Sequence, residues 1–279
     1  MQGIHPALSE EELRLMATSI DKRAPAPSAE RFLVSHDYRS WKLLAWCGPV
    51  FMATFILLWG ALAGNLPPFP PSATAAEVKA HYVDHRLAIM IGMSVCLTVT
   101  AFYMAWGCAV CHVMRRVEGP GGLLGNLEMM GATITTVPVM TACAIWLTAA
   151  HEAASLSPEV LHMLYWAGWL LIDLAYFVTS FQIAAISIVF ARDTREKPLV
   201  PSWVNWWGWV AFTTFFFVSA IPFLTTGPLA FDGVLSFWVA FGTWFVWCPA
   251  LSYYIIKAIP RLKAEDEAAA AAAAAAATA

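Results

Sequence analysis

Residues 161–190 read LHMLYWAGWLLIDLAYFVTSFQIAAISIVF, thirty residues in which Asp173 is the one formally charged side chain. A helix needs about 20 mainly apolar residues to cross a bilayer, so this stretch is long enough to span a membrane. Five other stretches are also long and mainly apolar. The predicted spans, numbered 1 to 6 along the chain, are residues 42–64, 87–113, 127–149, 161–190, 204–225 and 233–256.

The composition of the chain agrees with this interpretation. Of its 279 residues, 59% are hydrophobic and 13% are charged, whereas soluble domains have about 45–50% and about 25%. The formal net charge of −3 offers no basic surface for a nucleic acid. We therefore predict an all-α, polytopic membrane protein, a bundle of six transmembrane helices that has the lipid bilayer as its partner and binds no nucleic acid.

The distribution of basic residues predicts the orientation. All but two of the 16 Lys and Arg residues lie before span 1 or after spans 2, 4 and 6; the exceptions are Lys79 and Arg86. Basic loops stay in the cytoplasm, so we expect both termini on the cytoplasmic side of a bacterial inner membrane. Residues 1–40 are then a cytoplasmic or interfacial segment, 41–260 the transmembrane domain, and 261–279 a charged and then alanine-rich tail.

One acidic residue is predicted at the middle of a span. Burying Asp173 in a membrane costs at least about 2.5–3.5 kcal/mol, so its side chain should face the bundle interior, with Tyr176 on the same helix face. The pair is interpreted either as a proton or substrate group or as a packing device in which a protonated Asp173 donates a hydrogen bond to another helix. The expected acceptors are the hydroxyls of Thr133, Thr135, Thr136, Thr213 and Thr214.

Glu128 is the other acid within a predicted span. It lies about one turn inside span 3, at the end predicted to be cytoplasmic. A long side chain near a helix end can extend towards the membrane surface. We therefore expect the Glu128 carboxylate to reach the lipid headgroups.

The face predicted to be external gathers most of the histidines. Imidazole and carboxylate groups together suit Zn, Cu or Fe, and His81 and His85 share a helix face because they are four residues apart. The residues are interpreted either as interfacial polar groups at helix ends or as a metal or haem site. The candidate ligands are His81, Asp84, His85, His151, Glu152 and His162.

The segment from Cys108 to His112 matches the C-x-x-C-H pattern of haem attachment. The basic residues that follow, Arg115 and Arg116, place it at the predicted cytoplasmic end of span 2. Haem is attached to such motifs on the other side of the membrane, so we interpret Cys108 and Cys111 as small packing residues. No cofactor is predicted, with a metal or haem as the alternative.

Local signals predict where several helices start and bend. Thr74 with Glu77 is typical of a capping box, and Ser157 before Pro158 is typical of a helix start. Prolines within spans 3, 5 and 6 are expected to bend them; they are Pro138, Pro222 and Pro249.

Two stretches in the last third of the chain carry a resemblance. Residues 201–204 read PSWV, and residues 226–238 read TGPLAFDGVLSFW. The Thr-Gly-Pro-x-Ala turn and the Phe-Trp pair at the last span resemble a family of uncharacterised bacterial polytopic membrane proteins. The resemblance implies a multi-helix membrane fold and no assigned activity, so it carries no catalytic residue.

The sequence shows neither a Walker motif nor a G-x-S-x-G motif. We therefore expect a non-catalytic inner-membrane protein, which is either an accessory subunit or a handler or transporter of a small hydrophobic molecule. Its partners would be another membrane protein, a second copy of itself, or that molecule. The alternative is a membrane redox or metalloprotein that uses the histidines on the predicted external face.

Overall fold

A computed structural model describes residues 37–278 of the chain. This part of the chain folds into six helical spans. Each is long and apolar enough to cross a membrane, and the part of the chain described contains no β-strand. The prediction of an all-α membrane protein with six spans is thereby confirmed. The spans are Tyr38–Leu62, Arg86–Glu118, Leu123–His151, Pro158–Ala191, Ser202–Phe223 and Val234–Thr278.

Several spans are built from more than one helical segment. The α-helices are Tyr38–Phe55 (α1), Ala75–Asp84 (α2), Arg86–Val99 (α3), Ala101–Glu118 (α4), Leu123–His151 (α5), Pro158–Leu174 (α6), Tyr176–Ala191 (α7), Ser202–Phe215 (α8) and Ala240–Thr278 (α9). A π-helix, Ile56–Leu62, follows α1, a 3₁₀-helix, Phe216–Phe223, follows α8, and a π-helix, Val234–Val239, precedes α9. Mid-helix changes of pitch of this kind often accompany functional sites.

The prolines within the spans behave differently from one another. Span 3 continues as one α-helix through Pro138, and α9 continues through Pro249. Span 5 changes to the tighter 3₁₀ pitch in the segment that contains Pro222. Proline thus accompanies a change of helix type in one of the three spans where a bend was expected.

The two predicted helix starts are confirmed. The Glu77 amide donates to Thr74 Oγ1 at 3.2 Å while the Thr74 amide donates to Glu77 Oε2 at 2.7 Å, the reciprocal pair of a capping box. The hydrogen bond from the Thr74 backbone holds the pKa of Glu77 below its ordinary value. The Ser157 hydroxyl accepts from the Val160 amide at 3.3 Å, which caps α6.

The core is filled by indole rings. Trp59, Trp146 and Trp169 come from spans 1, 3 and 4 and are fully buried. The ring of Trp169 meets each of the other two edge-on, with both centroid distances 5.3 Å, a geometry that aromatic quadrupoles favour. The Trp146 indole donates to the Tyr165 carbonyl oxygen at 3.0 Å, which joins span 3 to span 4.

One end of the bundle, called here the arginine end, is held by ion pairs around Arg116. Its guanidinium forms two hydrogen bonds with Asp266, at 2.5 and 2.7 Å, and the Tyr38 hydroxyl donates to the same carboxylate. Arg195 pairs with Asp193 at 2.9 Å and donates to the Arg116 carbonyl at 3.2 Å. The charged segment after residue 261 is therefore fastened to the bundle, although the sequence predicted no more than a tail.

The opposite end, called here the histidine end, is held by basic side chains that donate to backbone carbonyls. Arg86 donates to the carbonyls of Ala150 and His151 at 3.1 and 2.9 Å. Lys79 donates to the Leu156 carbonyl at 2.6 Å. The end of α5 and the residues before α6 are thereby joined to the segment between spans 1 and 2 and the start of span 2. The last carbonyls of a helix need such donors because they have no partner within the helix.

Candidate ligand cavity around Asp173

Span 4 has an irregular residue, Ala175, two residues after Asp173. Helix α6 ends at Leu174 and α7 begins at Tyr176, with Ala175 between them at φ −78° and ψ 0°. Neither proline nor glycine lies within four residues of Ala175. Asp173 therefore lies beside a one-residue irregularity of span 4, at which Ala175 keeps right-handed helical dihedral angles.

The Asp173 carboxyl group is buried and has no hydrogen-bond partner in the part of the chain that the structure describes. The residue is 2% exposed, and within residues 37–278 neither carboxyl oxygen accepts or donates a hydrogen bond. The prediction that it faces the bundle interior agrees with this burial. The predicted hydrogen bond to a threonine of another helix is absent, and that expectation was wrong.

The threonines that were expected to accept from Asp173 bond elsewhere. Thr135 pairs with Thr179 at 2.9 Å, and Thr214 pairs with Thr243 at 2.9 Å. The other three donate to backbone carbonyls four residues earlier on their own helices, a common choice for a hydroxyl inside a helix; they are Thr133, Thr136 and Thr213. All five threonine hydroxyls that spacing suggested as partners of Asp173 are thus hydrogen-bonded to other groups.

Asp173 lines an intramembrane cavity of about 70 Å³. A water molecule needs about 10–15 Å³ by the same measure, so the space holds several waters or part of a small organic ligand. Its aromatic walls come from spans 1, 5 and 6, and the other lining residues include Thr135 and Val139 of span 3 and Thr179 of span 4; the rings are those of Phe51, Phe55, Phe215, Phe241, Trp244 and Phe245.

Tyr176 also lines the cavity, as its place on the Asp173 face predicted. Its hydroxyl is hydrogen-bonded to that of Ser219 in the 3₁₀ segment of span 5. This bond holds the ring at the cavity wall and leaves Asp173 as the polar group without a partner there. The predicted pair is therefore brought together at one site, with the two side chains in different roles.

The cavity lies where several spans depart from regular α-helix. Its lining residue Val218 belongs to the 3₁₀ segment of span 5, and Phe241 comes two residues after the π-helix that opens span 6. Asp173 stands beside the irregularity at Ala175 in span 4. Irregular backbone at membrane depth is tolerated where it is buried in protein or lines a cavity, which is its position in this fold.

A second buried polar group, centred on Glu128, was missed by the sequence analysis. Gln182 of span 4 donates to Glu128 Oε1 at 3.2 Å and accepts from the Tyr103 hydroxyl at 2.8 Å. Glu128 is fully buried, so the expectation that it reaches the headgroups was wrong. Gly131 explains why, because its missing side chain lets Gln182 approach span 3 and cover the acid.

Tyr103 connects this polar group to the walls of the cavity. Its ring lies 5.3 Å from Phe51 and 5.9 Å from Trp244, measured between ring centroids, and both of these residues line the cavity. Gln182 was the available signal in the sequence, since an amide inside an apolar span requires partners. Its partners lie on spans 2 and 3, which spacing within span 4 does not reveal.

The histidines at the histidine end form separate contacts. His81 and His85 stack with ring centroids 4.6 Å apart. His151 bonds to Glu152 at 2.7 Å, and His162 accepts from the Trp166 indole at 2.8 Å. Burial, with His85 as a second cause, lowers the pKa of His81, and hydrogen bonds from Ser155 and then His151 lower the pKa of Glu152.

No metal-binding arrangement is formed by the predicted candidates. Among residues 37–278, no three His, Cys, Asp or Glu side chains lie where together they could hold a metal ion. Asp84 is exposed, and it acts on His81 through its charge. The alternative of a metal or haem site therefore draws no support from the positions of these side chains.

The C-x-x-C-H segment is packed into the bundle. Cys111 is buried, and Cys108 lies 3.9 Å from the Met129 sulfur, measured between Sγ and Sδ. The His112 ring meets the Trp41 indole edge-on at 3.4 Å between centroids. These contacts agree with the interpretation of the two cysteines as packing residues.

Comparison of the chain with protein-family models, with curated proteins and with solved structures found no match.

Proposed function

We propose that this chain is a non-catalytic protein of the bacterial inner membrane that binds a small, mainly apolar molecule in the Asp173 cavity and handles or transports it within the bilayer. The observation that carries the proposal is the pair of unpartnered carboxyl oxygens on a largely aromatic cavity. An accessory subunit that binds another membrane protein or a second copy of itself remains a prediction from the sequence.

The energetic cost of Asp173 supports a role in binding. An unpaired polar group away from water costs about 1–3 kcal/mol, and apolar side chains would fill the same space without that cost. Ligand sites are typically apolar cavities in which a few polar groups fix the orientation of the ligand. The Asp173 cavity has this composition.

Filling the cavity tests the proposal. Val139 lines the cavity, and Val137 on the same helix is 59% exposed on the outer surface of the bundle. Val139→Trp should abolish saturable binding of radiolabelled naphthalene by the protein in lipid nanodiscs, because the indole occupies the site. Val137→Trp adds the same ring outside the cavity and serves as the matched control.

Empty nanodiscs measure how much naphthalene dissolves in the lipid. Saturable binding that is present in the wild type and in Val137→Trp but lost in Val139→Trp would support the proposal. Equal binding by all three proteins, or no saturable binding by the wild type, would refute it.

A further inference from the structure

We propose that the ligand of the cavity is a cation, a small aromatic or alkyl ammonium whose positive charge pairs with the Asp173 carboxylate. This inference rests on the proposed function and names the chemical class of its ligand. It follows from three properties of the site: the charge of its walls, the aromatic character of those walls, and the unused bonding capacity of Asp173.

The charges around the cavity favour a positive ligand. Among the described residues that line it, only Asp173 and Tyr176 can ionise, and none is a lysine or an arginine. Tyr165, two turns earlier in span 4, is a further ionisable group that interacts electrostatically with Asp173. A carboxylate without a basic partner in a medium of low dielectric constant attracts a cation strongly, and the walls of the cavity supply none.

The aromatic rings reinforce this preference. A ring presents a negative face, and cages of such rings bind quaternary ammonium groups. Phe51, Phe55 and Trp244 come from spans 1 and 6, while Phe215 comes from span 5, so the rings approach the cavity from different sides. A cation held among them gains ring contacts as well as its pairing with Asp173.

Other classes of ligand would interact with fewer of the groups that line the cavity. A hydrocarbon would leave both Asp173 oxygens without a partner. An anion would meet a carboxylate and no basic side chain. A neutral alcohol could donate to one carboxyl oxygen, but it carries no charge to interact with the ring faces. An ammonium ion satisfies the carboxylate and the rings together.

Proton exchange balances the charge. Before a cation binds, the Asp173 carboxyl keeps its proton, because no positive group offsets a buried negative charge. When a quaternary ammonium binds, the proton leaves for the solvent and the carboxylate pairs with the ligand. One proton is released for each cation bound, so the affinity for such a cation rises with pH.

Two probes of the same shape separate charge from hydrophobicity. Benzyltrimethylammonium is a permanent cation, and neopentylbenzene replaces its nitrogen with carbon and is neutral. Equilibrium binding of both radiolabelled probes to the full chain in nanodiscs would compare wild type, Asp173→Asn and Asp84→Asn. Asp84 is an exposed acid outside the cavity, so its variant is the control for loss of one negative charge.

The expected result is a loss that is specific to the charged probe. Removing one partner of a buried charge pair costs about 2 kcal/mol or more, so Asp173→Asn should weaken binding of the cation by about 30-fold or more. Binding of neopentylbenzene should change by less than about threefold, which also shows that the variant is folded. Asp84→Asn should match the wild type with both probes.

Proton release provides a second measurement that requires no variant. Addition of the cation to wild-type protein in weak buffer should acidify the solution by one proton per bound ligand, and neopentylbenzene should release none. Equal affinity for the two probes, or binding of the cation without proton release, would overturn this inference and leave the proposed function standing. Failure of the proposed function would appear separately, in the naphthalene experiment.

Discussion

Gln182 Nε2 donates to Glu128 Oε1 at 3.2 Å, which joins span 4 to span 3 inside the bundle. The same side chain accepts from the Tyr103 hydroxyl, so one amide group ties three spans together. Glu128 Oε2 has no partner among the described residues. Gln182 is therefore the group on which the solvation of this buried acid depends.

Gln182→Leu should destabilise the bundle more than Glu128→Gln does. The leucine leaves Glu128 and Tyr103 buried without their partner, at a cost of about 1–3 kcal/mol for each unsatisfied group. The Glu128→Gln change keeps the shape of the original side chain, and its amide oxygen can still accept from Gln182. Thermal unfolding in detergent, followed by tryptophan fluorescence, measures the difference, and equal melting temperatures would contradict the prediction.

Gly168→Ala should destabilise the junction of spans 3 and 4. A β-carbon at this position would overlap the Trp146 indole, which is fixed by its hydrogen bond to the Tyr165 carbonyl. Overpacking of a core costs about 1–3 kcal/mol. Unfolding in detergent should show the loss as a lower melting temperature.

Gly242→Ala is the matched control, because a β-carbon there meets no described atom within 4 Å apart from its chain neighbours and the nearby backbone of its own helix. The change should be neutral or should stabilise α9 by up to about 1 kcal/mol through helix propensity. If the two variants were destabilised equally, the close packing of Trp146 against Gly168 would not be the cause.

Reporter fusions test the predicted orientation. Fusions after residues 118 and 197 join the reporter at the arginine end and should give a cytoplasmic signal, since the basic residues predict that this end stays inside. Fusions near residues 75 and 155 join it at the histidine end and should give an external signal. A cytoplasmic signal from residue 75 would reverse the orientation.

Acid should loosen helix α2 through His81. Its lowered pKa means that the folded protein resists protonation, so stability present above the ordinary histidine pKa of about 6.5 is lost as the pH falls below it. Burial is the larger cause and the neighbouring His85 the smaller. The protection factors of the Ala75–Asp84 amides, which are hydrogen-exchange rates corrected for the intrinsic effect of pH, should fall more between about pH 7.5 and about pH 5.5 in the wild type than in His81→Gln, since this interval brackets the ordinary pKa.

His162→Gln is the control for this experiment. It removes a histidine at the same end whose ring accepts from the Trp166 indole on its own helix. The fall in the protection factors should persist in this variant. Glu77 titrates at lower pH, because its pKa lies below the ordinary value, and its cap should therefore stay intact over the range measured.

The spans could be predicted from the sequence because each depends on the summed hydrophobicity of many consecutive residues. About 20 apolar residues in a row determine a span whatever their packing, and the capping pair of Thr74 and Glu77 is a local interaction. The surroundings of Glu128 and Asp173 depend on other spans. Gln182 covers Glu128 because Gly131 has no side chain and lets Gln182 approach closely. The irregularity at Ala175 could not be predicted, because neither proline nor glycine lies near it. Such contacts arise from packing between distant segments.

Asp173→Leu should stabilise the protein without its ligand and abolish binding of the cationic probe. Because the carboxyl oxygens have no partner within residues 37–278, leucine removes an unsatisfied polar group that costs about 1–3 kcal/mol and adds apolar contacts within the cavity. Unfolding in detergent without ligand should show a higher melting temperature than that of the wild type, with Asp173→Asn between the two. A lower melting temperature for Asp173→Leu would mean that the carboxyl group stabilises helix packing, as the alternative from the sequence holds. A gain in stability together with lost binding would instead show that Asp173 is kept for its ligand at the expense of the fold.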